Sequence, residues 1–246
     1  AADIVHASEP AGQDLWRYIQ QAYITGTKDK FTLDFGKWVT PIGAEVIETK
    51  DNWNYSRGLL FTWAIPFYHF GAKGTYAVSD KTTVGGYVVN GWNNVADTNT
   101  AKSFGFVGIF KPTDKLGLTT NFLIGKENPA TDDYRQLYDG IITYAATDKI
   151  SVMANYDYGM DRDGVGDRVV WQGIAAYGKV KASDQFTFAG RYEYYNDRNG
   201  FTTGVPQNLQ SFTAPGQFPW EDIVLWTEYR RDWSYVPTFN TTTGTP

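Results

Sequence analysis

The sequence has no cysteine and only two histidines, His6 and His69, among its 246 residues. The absence of cysteine excludes a disulfide framework, a thiolate metal site, an iron–sulfur cluster and a cysteine nucleophile. Two histidines are too few for a multi-histidine metal centre. We therefore predict no metal and no cofactor.

Long apolar runs and blocks of basic residues are also missing. No stretch approaches the ~18 apolar residues that a transmembrane helix needs. The 22 basic and 27 acidic residues are interspersed and leave a net charge of −5, so we expect no binding of nucleic acid through a basic face. Residues 1–10 have neither the basic start nor the apolar run of a signal peptide.

Aromatic residues and glycine are abundant, with 17 Tyr, 15 Phe, 9 Trp and 25 Gly. The apolar fraction of 42% is too high for a disordered chain. The mean hydropathy is nevertheless negative, at −0.41. The apolar residues are therefore balanced by many polar ones.

Four similar tetrads recur around Asp80, Asp114, Asp148 and Asp184, at spacings of 34, 34 and 36 residues. Each contains a Ser or Thr before the Asp, and these side chains can accept hydrogen bonds from the local backbone in a tight turn. A period of about 34 residues also occurs in helical repeat proteins. The flanking pattern argues against helices, because residues 150–158 and 186–194 alternate with period two, which predicts strands.

About twelve strands can be placed in this way. We predict them at 14–25, 30–39, 67–78, 82–92, 103–111, 116–126, 135–145, 149–159, 168–180, 186–196, 207–213 and 221–233. Short turns join them at one end, and longer loops join them at the other end, at 40–57, 93–102, 126–134, 160–168 and 196–207.

Strands of ~10 residues are long enough to cross a bilayer when tilted, whereas strands of globular proteins average ~5–6 residues. We therefore predict an all-β fold, an antiparallel up-and-down transmembrane β-barrel that forms one domain over residues 1–246. The alternative is a soluble β-sandwich or small-ligand barrel, in which the Phe and Tyr face would be buried.

The alternation places polar side chains toward the interior of such a barrel. The predicted pore-lining residues are Asp34, Lys73, Asn121, Asp139, Asn155, Asp157, Arg191, Glu193, Glu228 and Arg230. Charges of both signs can create a transverse field across a pore, or they can simply pair with one another. For the strand at 168–180 the pattern does not decide which face is outward.

Loop 40–57 is the longest well-marked loop and carries charges of both signs. We hypothesise that it folds into the lumen as a constriction, with Glu45, Glu48, Lys50, Asp51 and Arg57 as its charged residues. The alternative is a loop that lies over the mouth or packs on the outer rim.

The segment from Asp34 to Gly71 resembles a family of outer-membrane β-barrel porins of Gram-negative bacteria. The resemblance rests on an FGK…PIG.E…NYSR…P..H.G pattern, matched by residues 35–37, 41–43, 45, 54–57, 66, 69 and 71. Residues 88–92 and 228–234 also look like this family. The resemblance implies a porin-like barrel but no known solute. We expect outer-membrane lipid and small hydrophilic solutes as its partners, and homo-oligomer formation is left open. Family members carry further strands, so we expect the barrel to be incomplete at both termini.

Enzymatic readings have little support. His69 lies near Ser56 and Ser79 in sequence, but no nucleophile motif surrounds either serine. Residues 161–167 resemble a calcium loop but lack its final bidentate Glu. We expect a non-enzymatic porin for passive diffusion across the bacterial outer membrane. The alternatives are a barrel with a plugged lumen and partner-binding external loops, or a secreted soluble β-protein that binds carbohydrate.

Overall fold

The computed structural model describes residues 14–97, 99–128 and 130–236. Twelve strands form one antiparallel sheet in which every strand pairs with its neighbours in chain order. Their bounds are β1 Ala22–Lys28, β2 Phe31–Val39, β3 Tyr68–Ser79, β4 Thr82–Val89, β5 Ser103–Phe110, β6 Leu116–Gly125, β7 Arg135–Ala145, β8 Ile150–Arg162, β9 Arg168–Ser183, β10 Phe186–Asp197, β11 Gln207–Trp220 and β12 Ile223–Ser234. The predicted up-and-down order and the number of strands are confirmed.

Two predicted strands differ from the observed ones by more than a few residues at one end. The first was expected at 14–25, but residues Asp14–Arg17 form a short helix, α1, and β1 begins only at Ala22. The ring of Trp16 packs edge-on against Phe70 at 5.7 Å, a tertiary contact that local alternation cannot reveal. The strand expected at 207–213 continues to Trp220. Pro215 has no N–H to donate, and it lies where the pairing of β11 with β10 is already interrupted.

The connections at the turn end have the chemistry that the repeated tetrads predict. The hydroxyl oxygen of Thr113 accepts hydrogen bonds from the backbone N–H groups of Lys115 and Leu116. Thr147 does the same for Lys149 and Ile150. Each 34-residue period in the sequence therefore corresponds to one hairpin and its loop.

The sheet is strongly curved, as a single contact demonstrates. Glu45 follows the end of β2 by six residues, which can span at most ~21 Å. It pairs with Arg191 on β10, which on a flat sheet would lie eight strand spacings, or ~38 Å, from β2. The sheet must therefore curl around the β2–β3 connection.

The two faces of the curled sheet have opposite character. On β7, Leu137 and Asp139 are fully buried on the concave face, whereas Tyr138 between them is 44% exposed on the convex face. Exposed apolar residues recur along the convex face, as at Phe106 and Phe212. This is the pattern of a transmembrane barrel, and it contradicts the soluble alternative, which would bury the Phe and Tyr face.

The structure also decides the face of β9. Trp171 and Tyr177 lie on the concave face, whereas Ile174 and Val180 are exposed on the convex face. No ladder pairs β1 with β12 in the part of the chain that the structure describes. No helix within the same residues has the length and apolar character to cross a membrane.

Candidate pore and its inward segment

The β2–β3 connection, residues 40–67, lies inside the curve of the sheet, and we call it the inward segment. It contains a 3-10 helix at Thr49–Asp51 and a π-helix at Leu60–Ala64. The side chain of Asn121 on β6 donates to the carbonyl oxygen of Pro41 at 3.1 Å. On β9, the indole Nε1 of Trp171 donates to the carbonyl oxygen of Ala64 at 3.0 Å.

Hydrogen bonds to further strands hold the middle of the segment. Asn155 on β8 accepts from the backbone N–H of Ala44 at 3.2 Å. Gln217 on β11 donates to the carbonyl oxygen of Trp53 at 3.0 Å. The segment thus contacts the concave wall rather than the outer rim, and its role as a constriction stays a prediction.

All ten predicted pore-lining residues project toward this concave space. Six of them are buried there by neighbouring strands and the inward segment: Asn121, Asp139, Asn155, Asp157, Arg191 and Glu193. The other four are half-buried nearer the sheet edges, namely Asp34, Lys73, Glu228 and Arg230. Their part in solute passage stays a prediction, since position alone does not establish it.

The Arg191 guanidinium is the centre of the strongest anchor. It forms ion pairs with Glu45 of the inward segment and, at 2.8 Å, with Glu193 on its own strand. It also donates to the carbonyl oxygen of Ser56 at 2.8 Å and to the hydroxyl of Thr213 at 3.1 Å. One guanidinium therefore lies between two carboxyl groups.

The two carboxylates in turn fix the backbone before the π-helix. Glu45 accepts from the N–H of Gly58 at 2.6 Å, and Glu193 accepts from the N–H of Leu60 at 3.2 Å. A Cβ at position 58 would lie 2.2 Å from Glu193 Oε1. A larger residue at position 58 would therefore displace the Glu193 carboxylate.

A second polar cluster lies under the start of the inward segment. Asp139 and Asp157 face each other across β7 and β8. Asp139 accepts from Asn121 and from Asn155, each at 2.7 Å, and Asn155 also donates to Asp157 at 3.3 Å. Both carboxyl groups are completely buried, so this cluster is a second concentration of acidic groups on the wall.

A third cluster lies at β12. Glu228 accepts from the backbone N–H groups of Tyr55 and Ser56, at 2.8 and 3.0 Å. Arg230 donates to Asp232 at 2.9 Å and to the carbonyl oxygen of Arg57 at 2.5 Å. Here too one cation stands beside two carboxylates.

The candidate constriction residues have different positions. Glu48 accepts a hydrogen bond from Gln20 at 2.5 Å, and Arg57 bonds within the segment to Thr49 at 3.0 Å. Lys50 and Asp51 are exposed and pair with each other at 2.9 Å. The hydrogen bond to Asp51 raises the pKa of the Lys50 ammonium, so this pair is neutral overall.

His69 is completely buried among aromatic rings. Its ring packs against those of Trp38 and Tyr87, at 5.2 and 5.6 Å between centroids. Its nitrogens lie 3.1 Å from the hydroxyl of Thr40 and 3.3 Å from the carbonyl oxygen of Gly91. His6 lies outside the described residues. No group of three or more metal-ligating side chains occurs within the described ranges.

Sequence reasoning missed the aromatic residues of the concave face. Trp171 lies flat against β8, where a Cβ on Gly159 would be 1.9 Å from its ring. The alternation of β9 fitted either face, so Trp171 had no assigned side. A glycine opposite a large ring on the neighbouring strand was the available signal, but it requires the strand register.

Comparison with known proteins agrees with this geometry. The family model described as "Putative beta-barrel porin-2, OmpL-like" matches residues 1–246. The crystal structure of the outer membrane channel DcaP of Acinetobacter baumannii is similar, with a TM-score of 0.58 and 12% identity over 87% of this chain and 70% of that chain. OpdQ of Pseudomonas aeruginosa matches with a TM-score of 0.45 and 12% identity over 87% of this chain and 76% of that one. No curated protein matches significantly.

Proposed function

We propose that this chain, which belongs to the OmpL-like beta-barrel porin-2 family, is a bacterial outer-membrane channel for passive diffusion of small hydrophilic solutes. The family and the fold indicate a porin-type channel protein rather than an enzyme. The finer points of this proposal are the solute class, the passive mechanism and the location in the outer membrane.

One observation carries the proposal, namely the reversal of the usual distribution of polar and apolar residues. Arg191, Glu193 and Asp157 are at most 1% exposed inside the sheet, whereas large apolar side chains cover its outside. Soluble proteins bury apolar residues and leave unpaired charges outside. Lipid against the convex face accounts for its exposed apolar side chains, and we infer that solutes pass along the concave side, where the charged groups lie.

The charge balance of the wall supports a preference for cations. Arg191 is shared by Glu45 and Glu193, and Arg230 lies beside Glu228 and Asp232. The Asp139–Asp157 pair adds further acidic groups. A ring of excess carboxylates favours cation passage through a pore.

Planar-bilayer recording tests both parts of the proposal. The purified protein is inserted into a bilayer, and the current is measured in a KCl gradient. We expect discrete conductance steps and a reversal potential that is shifted from zero toward the equilibrium potential of K⁺. The absence of steps from verified folded protein would overturn the channel, and a chloride-selective reversal potential would overturn the role of the carboxylates.

The inward segment favours a second candidate, a barrel whose lumen is plugged. Its anchors at Arg191, Trp171 and Glu228 would suit a permanent plug as well as a constriction. In that case the external loops would bind a partner, and the bilayer experiment would yield folded protein without conductance. Homo-oligomer formation is a further proposal, and crosslinking in native membranes tests it.

A further inference from the structure

A pocket lined by aromatic rings lies where the inward segment meets the loop end of the sheet, and we call it the mouth pocket. Its volume is about 320 Å³, and its walls include Trp63, Trp92, Trp171, Phe201, Asn93 and Arg135. None of these residues is among the predicted pore-lining positions. The pocket is large enough for a small ring-shaped solute.

The rings of the mouth pocket are held in a fixed arrangement. Trp171 stacks on Phe201 with 5.4 Å between ring centroids and 20° between planes. Trp92 meets Trp171 edge-on at 6.2 Å and 81°. The hydrogen bond from the Trp171 indole to the carbonyl oxygen of Ala64 holds this ring against the inward segment. Trp63 is 38% exposed, so its side chain is available to a solute.

Among the residues that line the pocket, Arg135 is the one charged side chain. The Arg135 guanidinium lies over the rings of Trp92 and Phe201, at 5.1 and 5.4 Å. Its Nε donates to the buried carboxylate of Asp161 at 2.7 Å. The remaining described lining residues are uncharged. The pocket thus combines apolar ring faces with polar groups and with a guanidinium that is paired with a carboxylate.

We propose that the mouth pocket is a binding subsite for a neutral sugar ring, an inference that rests on the proposed channel function and names its solute class. The C–H face of a pyranose packs against an indole or phenyl face with good dispersion contact. Its hydroxyl groups match the polar side chains of Asn93 and Arg135. An anionic solute gains less, because Asp161 already compensates the guanidinium.

Binding and conduction are measured separately to test the subsite. Isothermal titration calorimetry with detergent-solubilised full-length protein uses maltotriose as the sugar probe and sodium benzoate as the anionic ring probe. The variants are Trp63→Ala and Trp92→Ala. Trp53→Ala is the matched control, since Trp53 lies in the inward segment but contacts Tyr177 and Lys179 instead.

We expect maltotriose to bind, and each pocket variant to bind it at least ~10-fold more weakly, a loss of ~1.4 kcal/mol, whereas Trp53→Ala keeps the wild-type affinity. Trp63→Ala serves if Trp92→Ala fails to fold, because the Trp63 ring is partly exposed. No maltotriose binding, tighter binding of benzoate, or equal loss in the control would overturn the subsite. Conductance steps without sugar binding would leave the channel proposal intact, and sugar binding without conductance would overturn the channel alone.

Discussion

Replacement of Arg191 by methionine tests the idea that buried charge holds the inward segment against the wall. The variant Arg191→Met keeps much of the side-chain volume but leaves Glu45 and Glu193 without their cation. All three side chains are at most 5% exposed, so water cannot replace the lost partner. Removal of one member of a buried ion pair costs ~3–5 kcal/mol. We expect the free energy of unfolding to fall by that amount.

Urea unfolding in phospholipid vesicles, followed by the mobility shift of the folded barrel on gels, measures this change. Lys181→Met is the matched control, because its partner Asp184 lies on an exposed turn, and we expect no resolvable change. The triple variant Arg191→Met, Glu45→Gln, Glu193→Gln should recover most of the loss, since the cost comes from unpaired charge. A loss below ~1 kcal/mol, the value typical of exposed pairs, would refute the reasoning, as would a triple variant no more stable than the single one.

Three further outcomes follow from the same geometry. Gly58→Ala places a Cβ 2.2 Å from Glu193 Oε1, whereas the control Gly178→Ala places a Cβ that meets nothing within 4 Å. Urea unfolding should show a loss of ~1–3 kcal/mol in the free energy of unfolding only for Gly58→Ala. Equal stabilities of the two variants would contradict the close approach. Replacement of residues 46–56 by a short Gly-Ser linker should raise the single-channel conductance if the inward segment narrows the pore, whereas unchanged conductance would remove the constriction. The combined variant Asp139→Asn, Asp157→Asn should shift the reversal potential in a KCl gradient toward zero, and an unaltered potential would show that these groups do not act on permeating ions.

Local patterns predicted the wall of the barrel well. Period-two alternation depends only on which face each residue occupies, so strands such as β7 and β8 could be placed within a few residues. The turns at Thr113 and Thr147 could be recognised because the hydrogen bonds of a Ser/Thr turn are made within three residues. The polar face of each strand followed from the same alternation.

Prediction failed where the local pattern fits two structures equally well or gives no structural assignment. Trp171 could belong to either face of β9, and the strand expected at 207–213 continues to Trp220. The short helix α1 depends on Trp16 meeting Phe70, which are far apart in sequence. Such contacts between distant residues produce no periodic pattern in the sequence.

By itself, the sequence determined the repeat, the strands and the polar and apolar faces, because each depends on neighbours a few residues apart. Only the tertiary structure decided what fills the concave side. The partnership of Glu45 with Arg191 and the convergence of Trp92, Trp171 and Phe201 depend on how far the sheet curls. That curvature accumulates over many strand pairings and is not encoded in any single local segment.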